Sequence, residues 1–236
     1  MTYNYKIESC KPNDGLYPKS LLEIHNYPSV LYYMGNIETL NEKRSVAAIG
    51  TRNASEEGLR AAYEIGYKAA QHGLITINGL AVGCDTAALQ GAIDNNGLCI
   101  AVMPCGLDQV YPRSNLGLAQ NILESGGCLI SEYPIGTIIH KHNFIKRDRL
   151  QSALSDGVIV VESAIKGGSM HTAEYAIKQY KRISCYYSKL LGHVEGNIDL
   201  IEKRKCGKIE NVKDLERFLI EINNEEKYEQ LSLFDV

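Results

Sequence analysis

Between residues 45 and 187 the sequence repeats one unit: a short β-branched run, a junction carrying glycine or asparagine, then a helical stretch. Ser45-Val46-Ala47-Ala48-Ile49-Gly50 reads as a buried strand. A helix follows over 55–71, opened by Ser55 with Glu56 and Glu57 in its first turn, where carboxylates meet the positive end of the helix dipole. The unit recurs, with strands predicted over 74–77, 98–103, 128–131, 157–161 and 182–187, and helices over 84–95, 115–125, 144–155 and 169–181. The strands are apolar throughout rather than alternating, so both of their faces are covered. This predicts an α/β fold, a doubly wound and mostly parallel Rossmann-like sheet, with ligands received at the carboxyl ends of its strands.

Residues 1–44 read as a lead-in packed on a core of 45–190. Residues 191–236 read as an extension with one helix over 212–223 and an acidic tail. Over 210–236 eight acids face three bases, which leaves the rest of the chain mildly basic although the formal net charge of the whole is −3. A local basic surface is therefore compatible with the acidic total. No apolar run is long enough for a membrane span, and Met1-Thr2-Tyr3-Asn4-Tyr5-Lys6 has no basic-then-apolar leader pattern. Seven scattered cysteines without a Cys-x-x-Cys pair argue against a disulfide framework and against a zinc knuckle. A reducing cytoplasm is the expected setting.

Four junctions carry residues suited to ligand binding. The first strand ends in Gly50-Thr51-Arg52: a close-approach glycine, a hydroxyl for a phosphate oxygen and a guanidinium for a forked contact. Arg52 and Ser55 stand where a dinucleotide fingerprint would place its second and third glycines, so no nicotinamide or flavin cofactor is expected. The second strand leads into Gly79 and Gly83, with Asp85 expected to cap the next helix. The third cluster interleaves Lys141, Lys146, Arg147 and Arg149 with Asn143 and Phe144, the mix of bases and an aromatic that single-stranded nucleic acid needs. The fourth, Lys166-Gly167-Gly168-Ser169 with His171 and Thr172, opens a helix whose free N–H groups can seat an anion. His140, His142 and His171 have no acid or cysteine at ligand spacing, so no metal is expected. No catalytic motif stands out, and Cys105 reads as a small buried residue.

In order along the chain, Gly50-Thr51-Arg52, Gly79-Leu80-Ala81 with Gly83 and Asp85, Gly106-Leu107-Asp108 with Val110-Tyr111-Pro112, Ser131-Glu132-Tyr133-Pro134, Asn143-Phe144 with Arg147 and Arg149, and Gly168-Ser169 with Thr172-Ala173 resemble the DNA-processing protein A family, also called DprA or Smf. The resemblance spans about residues 16–187. It implies a domain that is not an enzyme, binds single-stranded DNA, helps load a RecA-type recombinase and forms a homodimer. By position, Arg52, Lys141 and Phe144 correspond to the family's main DNA contacts, with the glycine loops approaching phosphate or base. The sequence departs from the family where Val82 and Leu89 replace Arg and His, and where Asp148 replaces Asn. Against that resemblance, the family's carboxyl-terminal winged-helix domain is not expected within these 236 residues. In the tail, Gln230, Leu231, Leu233 and Phe234 resemble the peptide that docks bacterial repair proteins on the DNA sliding clamp. Two alternatives remain open at this stage. One is a sensor that binds a nucleotide signal. The other is a LOG-type nucleotide phosphoribohydrolase, whose motif is echoed by Gly167-Gly168-Ser169-Met170-His171-Thr172-Ala173-Glu174.

Overall fold

The computed structural model describes residues 5–224. In chain order it contains β1 (Glu8–Cys10), β2 (Leu31–Gly35), a short α1 (Thr39–Glu42), β3 (Ser45–Ile49), α2 (Glu56–Gln71), β4 (Ile75–Asn78), α3 (Cys84–Asp94) and β5 (Cys99–Val102). It continues with α4 (Leu116–Glu124), β6 (Cys128–Ser131), α5 (Lys141–Leu154), β7 (Gly157–Val160), α6 (Ser169–Lys178), β8 (Arg182–Tyr186), α7 (Glu195–Arg204), β9 (Gly207–Ile209) and α8 (Val212–Asn224). All nine strands form one sheet in the order β1-β2-β6-β5-β4-β3-β7-β8-β9. From β6 to β9 every pairing is parallel, while β2 runs antiparallel against β6 and β1 antiparallel against β2.

Alternation within each strand sends its side chains to two separate cores. Val46 and Ala48 of β3 meet α2, α3 and α8, whereas Ala47 and Ile49 meet α6 and α7. In β5, Ile100 and Val102 face α5 and the amino-terminal segment, while Cys99 and Ala101 face α3 and α4. The doubly wound, mostly parallel sheet expected from the β-branched runs is what the chain adopts. Among the described residues no helix is long and apolar enough to cross a membrane.

Some predicted boundaries move. Helix α5 begins at Lys141 rather than 144, because the first turn includes the polar residues that precede Phe144. The pattern past Tyr187 contains more than one helix: α7 and the three-residue β9 extend the sheet by another parallel unit. The lead-in supplies β1 and β2, with Tyr33 and Leu31 buried in one core and Met34 in the other.

Two buried asparagines part the strands where the loops begin. Beyond the pairing of Val46 with Thr76, Asn78 takes over the β3–β4 ladder: its amide accepts from Ala48 N–H at 3.1 Å and donates to Ala48 C=O at 2.6 Å. On the other side, Asn197 donates to the carbonyls of Val160, Val161 and Tyr186 and accepts from Ser163 N–H. Each side chain replaces backbone partners that diverging strands have lost.

Candidate nucleic-acid interface

Strand order reverses beside β3: β4, β5 and β6 lie on one side of it, and β7, β8 and β9 on the other. Such a switch point leaves a crevice at the carboxyl ends of the flanking strands. Here it is a cleft of about 450 Å³ lined by the loops after β3, β4 and β7, one side of α5 and the start of α6.

The loop after β3 is held from below. Thr51 N–H donates to Glu162 C=O at 2.8 Å. The Glu162 carboxylate, fully buried, accepts from Ser55 Oγ at 2.7 Å, Ser55 N–H at 3.1 Å and His193 N–H at 3.1 Å. Ser55 Oγ in turn accepts from Gly58 N–H at 3.1 Å, the cap expected from the sequence. Arg52 is thereby left exposed at the rim, its guanidinium carbon 5.1 Å from the centre of the Phe144 ring. Tyr111 packs edge-on against the same ring at 5.4 Å, and a smaller hollow of about 90 Å³ lies among the three.

Asp85 does not cap its helix. The N-cap of α3 is Gly83, at φ +84°, and Asp85 instead accepts from Gly79 N–H at 2.8 Å and Ala81 N–H at 3.4 Å. Folding back on its own loop, the carboxylate is buried at the cleft floor. Gly79 is small for a reason inside the protein: a Cβ there would lie 1.1 Å from Arg147 Nη1. Arg147, 5% exposed, donates to Gln151 at 2.9 Å and sits 4.0 Å from Asp85 and 3.4 Å from Asp148. Burial pushes the Asp148 carboxyl up to about 6 despite the attraction of Arg147, and burial raises Asp85 as well.

Several candidate residues from the sequence gather at this cleft: Gly50, Thr51, Arg52, Phe144, Arg147, Gly168, Ser169, His171 and Thr172. Gly168 caps α6 with nothing near its Cα hydrogens, and Ser169 Oγ donates to Ser163 Oγ at 2.8 Å. Others are placed elsewhere. Asn143 is buried and donates to Pro104 C=O at 3.0 Å, and Gly83 leans on the Thr51 carbonyl. Arg149 is committed to Glu132 at 2.8 Å and to the Asn26 carbonyl at 2.8 Å. Lys141, Lys146 and Lys166 are exposed and outside the cleft lining. His140 and His142 stack on each other, and among the described residues no group of His, Cys, Asp and Glu could hold a metal ion. Cys105 is buried, and burial pushes its thiol up to about 11. The clamp-like residues Gln230, Leu231, Leu233 and Phe234 lie outside the described residues. Sequence reasoning missed Asp148 and His193 as cleft residues: one reads as part of a basic run, and the other has no motif around it.

A switch-point cleft at the carboxyl ends of a mostly parallel, doubly wound sheet defines a Rossmann-like α/β protein. Residues 9–219 match the model of the family described as DNA recombination-mediator protein A, and the chain belongs to that family. Protein Smf of Escherichia coli is 37% identical over 167 residues, covering 71% of this chain but 44% of Smf. DNA processing protein DprA of Streptococcus pneumoniae is 34% identical over 191 residues, covering 80% of this chain and 67% of that protein. The chain thus spans less than half of the Escherichia coli relative and about two thirds of the other. The X-ray structure of Streptococcus pneumoniae DprA superposes with a TM-score of 0.81 at 32% identity, covering 89% of this chain and 73% of that one. A DprA structure from Helicobacter pylori, whose subject is its single-stranded DNA binding mode, superposes at 0.83 with 28% identity, covering 92% and 97%. A molybdenum cofactor binding protein from Rippkaea orientalis, 18% identical with a TM-score of 0.54, shares the fold alone.

Proposed function

We propose that this chain binds single-stranded DNA along the glycine-loop edge of its sheet and passes it to a RecA-type recombinase in the cytoplasm, acting as a homodimer and without a catalytic step. The observation that carries the binding is the Arg52–Phe144–Tyr111 arrangement at the cleft rim: a free guanidinium for phosphate beside a ring on which a base can stack. Family membership supports the recombinase partner and the dimer, and the tail residues Leu233 and Phe234 support a sliding-clamp contact. Glu174, the acid a phosphoribohydrolase motif would use, is exposed on α6 and does not line the cleft.

A gel-shift titration with oligo-dT at two salt concentrations tests the reading. Arg52→Ala is expected to weaken binding of any sequence and to lower the salt slope by about one unit. Unchanged affinity would defeat it. A second reading, a sensor for a single nucleotide, is favoured by the cleft's volume of about 450 Å³, which suits one nucleotide. A mononucleotide that displaces the oligomer mole for mole would select the sensor.

A further inference from the structure

The floor of the cleft has the wrong charge for a phosphate. Asp85, Arg147 and Asp148 are 6%, 5% and 8% exposed, two carboxylates against one guanidinium. Asp85 is satisfied by the N–H groups of Gly79 and Ala81. Asp148 is not. Its nearest charged neighbour is Arg147 Nε at 3.4 Å, that Nε is buried without a hydrogen bond, and no donor among the described residues hydrogen-bonds the Asp148 carboxylate. Its oxygens face the cleft with no donor from the described residues on them, so they are open to the donors of whatever displaces water there. The phosphodiester of a strand has none to offer at neutral pH and would be repelled by two acids. It belongs at the mouth, where Arg52 is exposed and α6 begins.

We propose that Asp148 is the base-reading residue of the cleft, its carboxylate accepting the N1–H and 2-amino donors of guanine, so that a strand is held by phosphate at the mouth and read as dG at the floor. The inference rests on the single-strand reading given above. Guanine alone presents two adjacent donors that match the two oxygens of a carboxylate. Adenine and cytosine set one amino donor beside a ring acceptor, and thymine flanks its one N–H with carbonyls. For those three bases an acceptor faces a negative oxygen, so the discrimination is partly repulsive.

The titratable and charged groups facing Asp148 are Asp85 from α3, Arg147 beside it on α5, Arg52 from the loop after β3 and His171 from α6. Ionised, Asp148 offers two acceptors. Protonated, it offers one acceptor and one donor, and the match to guanine is gone.

Anisotropy titration of the full chain decides it, using a short oligo-dT and the same oligomer with dG substituted within it. At about pH 8 the dG strand is expected to bind on the order of tenfold tighter, the discrimination one good bidentate pair provides. The preference should shrink toward parity at about pH 5, and Asp148→Asn should abolish it at pH 8. Equal affinities for the two strands at pH 8 overturn the proposal, as does a preference that neither acid nor Asp148→Asn changes. If neither strand binds, the DNA reading itself falls and takes this inference with it.

Discussion

Burial raises the Asp148 carboxyl from its ordinary value to about 6, with Asp85 raised beside it, so the folded chain holds protons here more tightly than the unfolded chain does. The sign follows from linkage: the favourable contribution is fully present below the unfolded value near 4 and is lost as pH rises through about 6. Asp148→Asn is therefore expected to stabilise the protein at neutral pH by up to about 3 kcal/mol, and to do nothing near pH 4. Urea melts at the two pH values would check it. An equal gain at both would mean that packing, not charge, is responsible. A neighbour explains why the acid is tolerated: Arg147, which fills the space that Gly79 vacates, lies 3.4 Å from Asp148 and offsets part of its burial, and it keeps Asp85 at 4.0 Å when Asp148 is neutral.

At the scale of elements, the junctions depend on a few buried polar anchors. Glu162 ends the β7 side of the switch point and holds the start of α2 through Ser55, whose hydroxyl both donates to the carboxylate and accepts from Gly58 N–H. Ser55→Ala removes a cap and leaves a buried carboxylate short of one donor, so a loss of about 1–3 kcal/mol is expected by thermal melting. Because α2 sets the Arg52 loop, weaker oligo-dT binding should accompany that loss; a stability change without it would uncouple cap from site. The parallel strands around this junction were legible in the sequence because runs such as Val158–Val161 must be apolar on both faces. The strands β1 and β9 were not, since three residues are too few to show a period. Arg52 and Phe144 were legible as a cation and an aromatic near sheet-edge loops. Asp148 was hidden inside a basic stretch, and only the helix phase of α5 turns it toward the cleft. Asp85 was misread for a related reason: its position fits a cap, but Gly83 begins the helix earlier and frees the acid to bind its own loop.

For the whole molecule, the outer parts of the chain are structural members of the central sheet. Helix α8 buries Leu215, Phe218, Leu219 and Ile222 against the same core that holds Val46 and Ile159 of the switch-point strands. Glu216 ties it to α2 through Lys68 at 2.9 Å and through His72. Ending the chain at Glu210 would strip that face. The expected outcome is a loss of cooperative unfolding and the appearance of apolar dye binding, well before any effect of losing the acidic tail could be seen. A truncated chain that melts as sharply as the full one would show the core to be complete without α8.

The order of the sheet also has a consequence for its two borders. Both are closed by three-residue strands, Glu8–Cys10 and Gly207–Ile209, the first followed by Lys11-Pro12 and the second carrying Lys208 between Lys205 and Glu210. So short a row of free backbone groups, with charge on it and a proline next to it, is a poor template for a further strand. Among the described residues, growth of the sheet in its own plane is disfavoured at both borders, which leaves the helical faces and the loop edge as the better surfaces for self-association.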